Sequence, residues 1–387
     1  MIAHLAALVA LQLYSAAVPG TAWKDPSPHH TRMVRVAPQV DIETLDWGGH
    51  GRALVLIAGS GNTAHVFDDF ATLLTPDYHV YGVTRRGYGK SSVPKSGYTA
   101  DRLGDDVVAV IEALGIDKPI LMGHSFGGQE VSDVATRFPQ LVSGAVYLDA
   151  VYSYDAAYDD EALYWSVEWK RQIKSLQEHL AELLKAPDDP KPVALKLRDE
   201  DLPQVTRIAE TLVRVENGRH GWVDPGPDDL TSFAATREWY HRLFHVYLPE
   251  AEFRQILQAT PDGRPTMHYR SQERVNDATK AGRQAFHDIT VPALYIGAAQ
   301  NDPGDFDTND TEARANAAAY IAFQNGWIAR RSANFLQYAP NGRVVIMQRA
   351  SHYVFLSNED DVLREISVFA ASLPPLPTQP PLPTQPP

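Results

Sequence analysis

"ILMGHSFGGQE", residues 120–130, closes an apolar run with a serine set among glycines. The stretch Gly123-His124-Ser125-Phe126-Gly127 has the form G-x-S-x-G. Between a strand and a helix, that pattern holds a serine on a sharp turn with its hydroxyl exposed. The glycines allow close approach of helix and strand, and backbone angles that other residues resist. A glycine-rich turn whose serine merely caps the next helix is the competing reading, so the surroundings must decide.

Those surroundings alternate between strands and helices. "MVRVA" (33–37) and "VDIETLDW" (40–47) read as an opening hairpin. "ALVLIAG" (53–59), "HVYGV" (79–83), "PILMG" (119–123) and "VSGAVYLDA" (142–150) are short apolar runs of the kind found in buried strands. Between them, Leu103, Val107, Val110, Ile111 and Leu114 fall on one helical face. "EVSDVATRFP" continues as a helix after Ser125. The alternation resumes with "VPALYIGA" (291–298), a helical region through about Asn334, the strand "GRVVIMQ" (342–348) and the helix 359–373. This order predicts an α/β fold with a doubly wound, mostly parallel sheet. Two core parts, 34–151 and 289–373, flank a helical insertion, 152–288. The insertion is rich in aromatics, has no buried strands evident in its sequence, and reads as a cap.

Composition narrows the function. The chain has 387 residues, 44% of them hydrophobic, enough for a large core. Its net charge is −13 and its basic residues are scattered, which disfavours nucleic acid as a partner. The absence of cysteine removes disulfides, thiol catalysis and cysteine-ligated metals. Residues 1–22 resemble a secretory signal peptide, with cleavage expected after Ala17 or Ala22, although no basic residue precedes the apolar part. This predicts a secreted or periplasmic protein, with a cytoplasmic location as the alternative. No segment predicts a stable membrane span. The repeat "PPLPTQPPLPTQPP" (374–387) predicts an extended tail outside the core. The oligomeric state is left open.

A serine hydroxyl is a weak nucleophile until a base lies within reach and a third group orients that base. His352, just after the last strand, is the expected base. The orienting carboxylate should follow a strand between serine and histidine in chain order. Asp302 in "YIGAAQNDPGDF" fits; Asp305 and Asp307 nearby and Asp149 after the preceding strand compete with it. His124 is expected to pack under the turn. Oxyanion donors are expected from the backbone N–H of Phe126 and from the loop "IAGSGNTAH" (57–65), with Ser60 first and Asn62 next. The same loop as a phosphate cradle is disfavoured because no Gly-Lys-Ser/Thr follows it.

Together these pieces resemble the α/β-hydrolase family over about residues 40–373. They are Gly123-His124-Ser125-Phe126-Gly127-Gly128, the loop at 58–62, "RRGYGKSS" at 85–92, Asp302 and His352. Two positions depart from the family pattern. Ala58-Gly59 stands for its frequent His-Gly, and Thr84 for the Asp that opens the D-x-R-G-x-G-x-S turn. The resemblance implies that 152–288 forms a lid. The expected activity is hydrolysis of a small-molecule carboxylic ester or lactone, with no metal and no organic cofactor required. Tyr154, Tyr158, Trp165 and Trp169 are the expected substrate-binding residues. The same machinery would also serve a cofactor-free haloperoxidase or perhydrolase, an amidase or peptidase, or a carbon–carbon bond hydrolase. A non-catalytic ligand-binding protein is the rival of another class.

Overall fold

The computed structural model describes residues 23–150, 160–185, 187–218, 224–269, 273–284, 288–300, 302 and 307–375. Eight strands form the central sheet: β1 (His30–Ala37), β2 (Val40–Gly49), β3 (Arg52–Ile57), β4 (Tyr78–Val83), β5 (Ile120–His124), β6 (Gly144–Leu148), β9 (Ala293–Ala299) and β10 (Gly342–Gln348). Their order is β1-β2-β4-β3-β5-β6-β9-β10. The β1–β2 and β2–β4 pairings are antiparallel, and the rest are parallel. The opening hairpin and the buried runs thus become the strands their patterns predicted, with ends shifted by at most three residues.

The apolar runs are continuous because helices cover both faces of the sheet. On one face, Leu54, Leu56, Met122 and Val146 pack with Phe67, Phe70, Phe355 and Ile366. On the other, Val55, Leu121 and Tyr147 pack with Val107, Ile111, Val131 and Phe335. The chain passes from β3 to β4 on one side and then crosses back over β3 to β5 on the other, so strand order reverses between β3 and β5. In open α/β sheets, sites gather at the carboxyl ends of strands near such a reversal. Ser125 directly follows β5 there.

Between β6 and β9 the described chain is mainly helical: Asp160–Leu184, Lys191–Lys196, Leu202–Asn217, Phe233–Phe244, Glu250–Ile256 and Glu273–Ala281. It also carries a two-stranded antiparallel ribbon, β7 (Leu257–Ala259) with β8 (Pro265–Tyr269), apart from the main sheet. Phe233, Leu248, Phe253 and Leu257 join the core of the main sheet. Val215 packs on Tyr320 and Phe323 of the long helix Thr311–Tyr338. Among the described residues, no helix is long and apolar enough to cross a membrane. Residues 1–22, expected to be a signal peptide, and most of the proline-rich tail lie outside the described residues.

Candidate active site

Ser125 has φ of +50°, in the left-handed region that a non-glycine residue rarely occupies. Such a conformation costs on the order of 1–3 kcal/mol and persists only where its surroundings enforce it. Here Ser125 N–H donates to Leu148 O (3.1 Å), while Ser125 O accepts from Gly128 N–H (3.0 Å) as the helix Gly127–Arg137 begins. Gly127 is needed for that crossing: a Cβ there would lie 2.3 Å from Ile57 O at the end of β3.

The loop after β3 passes directly over this turn. A Cβ on Gly59 would stand 2.9 Å from Ser125 Cβ, so only glycine allows the approach. The two departures from the family pattern are answered by other braces. Thr84 Oγ1 accepts from Ala64 N–H (3.0 Å). Arg85, buried, donates to Ala58 O (2.9 Å) and Gly59 O (3.2 Å) and pairs with the buried Glu130. A guanidinium that takes both carbonyls fixes the loop's peptide planes.

Glu252, on the helix Glu250–Ile256, braces the loop from the inserted segment. Its carboxylate accepts from Asn62 Nδ2 (2.9 Å), Thr63 N–H (3.1 Å) and the Thr63 hydroxyl. Burial pushes this carboxyl up to about 7, against the opposing effect of those bonds. Asn62 is fully committed as well. Its N–H closes a turn on Gly59 O (3.4 Å), and its side-chain oxygen accepts from the Tyr353 hydroxyl (3.3 Å). Asn62 therefore braces the loop, with its N–H bonded to Gly59 O. Ser60, two residues earlier, is exposed.

His352 follows β10 and meets a carboxylate, but not the expected one. His352 Nδ1 donates to Asp149 Oδ2 at 2.7 Å. Asp302 instead pairs with Arg349, Nη2 to Oδ2 3.1 Å, at the protein surface. The cause lies in how β6 and β9 end. Leu148 pairs with Ile296, and Asp149 N–H donates to Ile296 O (2.8 Å). With φ of +44°, Asp149 then turns its fully buried carboxylate along the end of β9. Oδ1 accepts from Ala298 N–H (3.2 Å), and Gln300 Nε2 lies 3.3 Å from Oδ2. Asp302 falls beyond the end of β9, past this junction.

A fully buried carboxylate needs compensation. Arg331, buried on the long helix Thr311–Tyr338, donates Nη1 to Asp149 Oδ1 (3.1 Å). Burial alone would raise the Asp149 carboxyl. The charge of Arg331, then the bond from His352, outweigh it and hold the group below its ordinary value. An ionised acceptor at Oδ2 requires Nδ1 of His352 to carry its proton, which makes Nε2 the basic nitrogen of the neutral ring. His124 lies against that ring, centroids 4.6 Å apart, and donates Nε2–H to His352 O (3.1 Å). Burial, reinforced by His352, pushes the His124 pKa well down, so it stays neutral.

Phe126 caps the helix Gly127–Arg137, and its ring lies under the Arg85 guanidinium (5.3 Å). Trp165 and Trp169 belong to the helix Asp160–Leu184, while Tyr154 and Tyr158 lie outside the described residues, as do the side chains of both tryptophans. The pattern of residues did not reveal Arg331, Glu252 or Gln300. Arg331 sits in "IARRSANF", where nothing separates a buried arginine from its exposed neighbour. Asp149 did carry a signal, as the polar residue directly ending an apolar strand.

A family model for the alpha/beta hydrolase fold matches residues 52–358, and the chain belongs to that family. Among curated relatives, it is 31% identical over 101 residues to a 2-(acetamidomethylene)succinate hydrolase of Mesorhizobium japonicum, covering 26% of this chain and 36% of the relative. It is 34% identical over 115 residues to a bifunctional esterase/perhydrolase of Acinetobacter calcoaceticus (29% and 42% covered). To a non-heme chloroperoxidase of Streptomyces lividans it is 37% identical over 121 residues (30% and 44% covered). These matches span less than half of each relative's length. Among solved structures, an E-2-(acetamidomethylene)succinate hydrolase superposes with a TM-score of 0.53 at 18% identity, over 89% of this chain and 100% of that one. That likeness is one of fold.

Proposed function

We propose that this protein is a serine hydrolase that cleaves a carboxylic ester or lactone through an acyl-enzyme. One observation carries the reading: a buried, arginine-compensated carboxylate holds the His352 ring by Nδ1 at the sheet end where Ser125 occupies its strained turn. In this mechanism, His352 Nε2 takes the Ser125 proton as Oγ attacks the carbonyl carbon. Asp149 keeps the ring in the required tautomer and stabilises the imidazolium that forms. The N–H groups of Phe126 and Ser60 bind the oxyanion. The proton then passes from His352 to the leaving alkoxide, and water, activated by the same imidazole, releases the acid.

The matches to an esterase/perhydrolase and a chloroperoxidase favour a second outcome of the same acyl-enzyme, in which hydrogen peroxide replaces water and a peracid leaves. The insertion 152–288 supplies the pocket walls in this proposal, with Trp165 and Trp169 as the residues to test. Chromogenic esters, lactones and amides should be assayed with wild type and Ser125→Ala, with peracid formation followed when peroxide is present. Turnover of any ester or lactone that vanishes in Ser125→Ala supports the reading. Absence of acyl turnover across the panel, or turnover that survives in Ser125→Ala, overturns it.

A further inference from the structure

A second cluster of ionisable groups lies apart from His352, where the segment preceding β1 meets the turn after β3. Asp25 and His29 come from that segment, His65 from the turn Ala64–Phe67, and Asp68 from the start of the helix Asp68–Leu74. One ligating atom from each lies within 4.8 Å of every other. His65 Nδ1 is 2.9 Å from Asp68 Oδ2 and 3.3 Å from Asp25 Oδ2. His29 Nδ1 is 3.0 Å from Asp68 Oδ1, and its Nε2 is 3.8 Å from Asp25 Oδ2. Four ligands around a Zn²⁺ ion with bonds of about 2.0–2.1 Å stand roughly 3.3–3.4 Å apart at tetrahedral angles; the two separations from His65 Nδ1 lie near that spacing, and binding requires His29 and Asp68 each to present a single atom to the ion.

The charges suit it too. His65 and Asp68 are buried, and Asp25 and His29 are partly so. The cluster sets two carboxylates against two imidazoles, so a divalent cation that displaces the imidazole protons is matched by the two carboxylate charges. Imidazole donors favour first-row transition metals over Mg²⁺ or Ca²⁺, which take oxygen ligands.

A separate observation lies behind His65. Glu43, on β2, is fully buried, and no hydrogen bond of good geometry reaches either carboxylate oxygen. Its Oε1 is 3.3 Å from Lys90 Nζ and 3.7 Å from His65 Nε2, a ring nitrogen that also lacks such a bond. A carboxylate facing the outer nitrogen of a histidine is how metal-binding imidazoles are commonly oriented. On the other side, Ser27 Oγ donates to Asp68 Oδ1 (3.0 Å) and accepts from Trp47 Nε1 (3.2 Å). We propose that Asp25, His29, His65 and Asp68 bind one divalent transition-metal ion, Zn²⁺ fitting best, with Glu43 orienting His65. The ion ties the segment before β1 to the turn that follows the Ser60 loop, and it takes no part in acyl transfer.

The full-length protein, stripped with EDTA and dialysed, should be titrated with Zn²⁺ by calorimetry, and with Co²⁺ while its visible d–d absorption is followed. Saturation at one equivalent, with a four- or five-coordinate Co²⁺ spectrum, is the expected result. Asp25→Asn and His29→Gln should each weaken Zn²⁺ binding at least about 100-fold, and Glu43→Gln about 10- to 100-fold with the stoichiometry kept. Both ligand variants alter the segment ahead of the sheet, and metal-free circular dichroism and melting curves check that they fold. Failure of the wild type to bind one equivalent overturns the proposal, leaving a hydrogen-bonded cluster of histidines and carboxylates. Equal binding by folded His29→Gln and Asp25→Asn overturns it as well. An unchanged affinity in folded Glu43→Gln overturns the role given to Glu43.

Discussion

Asp149 Oδ2 and His352 Nδ1 lie 2.7 Å apart although the two residues are separated by 203 positions in the chain. The bond joins the end of β6 to the loop after β10, across β9. In the proposed mechanism it transfers the carboxylate role from Asp302, where chain order placed it, to the strand before.

Exchanging the two carboxylates tests that transfer. Asp149→Asn should lower kcat for an ester substrate about 10⁴-fold, because an asparagine favours the wrong tautomer of His352. Asp302→Asn, which breaks the surface pair with Arg349, should change kcat less than about threefold. The reverse ranking would return the role to Asp302.

Ser125→Ala and His352→Ala should each reduce kcat by roughly 10⁴-fold or more. The double variant should be little worse than either, since groups acting in one step lose their effect together. Multiplicative losses would show that the two serve separate steps.

Arg331 stabilises the carboxylate from behind, so Arg331→Met should leave Asp149 buried without its cation. The loss is expected at about 3–5 kcal/mol at neutral pH, as for other broken buried pairs. Because Asp149 is held below its ordinary value in the folded protein, its contribution is present above the unfolded pKa and is lost as pH falls through the folded one. Denaturant melts of wild type and variant should therefore converge toward acid pH. A difference independent of pH would mean that Arg331 acts by packing alone.

Glu252 has the opposite sign. Its folded pKa of about 7 lies above the ordinary value of 4.5, so the folded state keeps a proton that the unfolded chain releases. Stability from this group is complete below 4.5 and is lost as pH rises to about 7, by roughly 3 kcal/mol. Glu252→Gln should remove that slope. Parallel stability curves for the two proteins between pH 5 and 8 would show that Glu252 does not titrate in this way.

What the chain determines by itself is the local pattern. Apolar runs such as 119–123 and 144–148 become buried strands because a parallel sheet covered on both faces favours continuous apolar sequence. Ser125 sits on a sharp turn because Gly127 leaves room for the end of β3, a constraint local enough to be read from G-x-S-x-G. His352, directly after the last strand, is legible for the same reason. Tertiary structure decided which carboxylate reaches His352. Asp149 and Asp302 both follow strands, and only the pairing of Leu148 with Ile296, with the left-handed turn at Asp149, directs one inward and leaves the other on Arg349. Arg331 and Glu252 were hidden because burial of a charge depends on partners far along the chain: Asp149 lies 182 positions from Arg331, and Thr63 lies 189 from Glu252. A short-range pattern records the backbone's needs, whereas a buried charge is stabilised only by whatever the finished fold brings beside it.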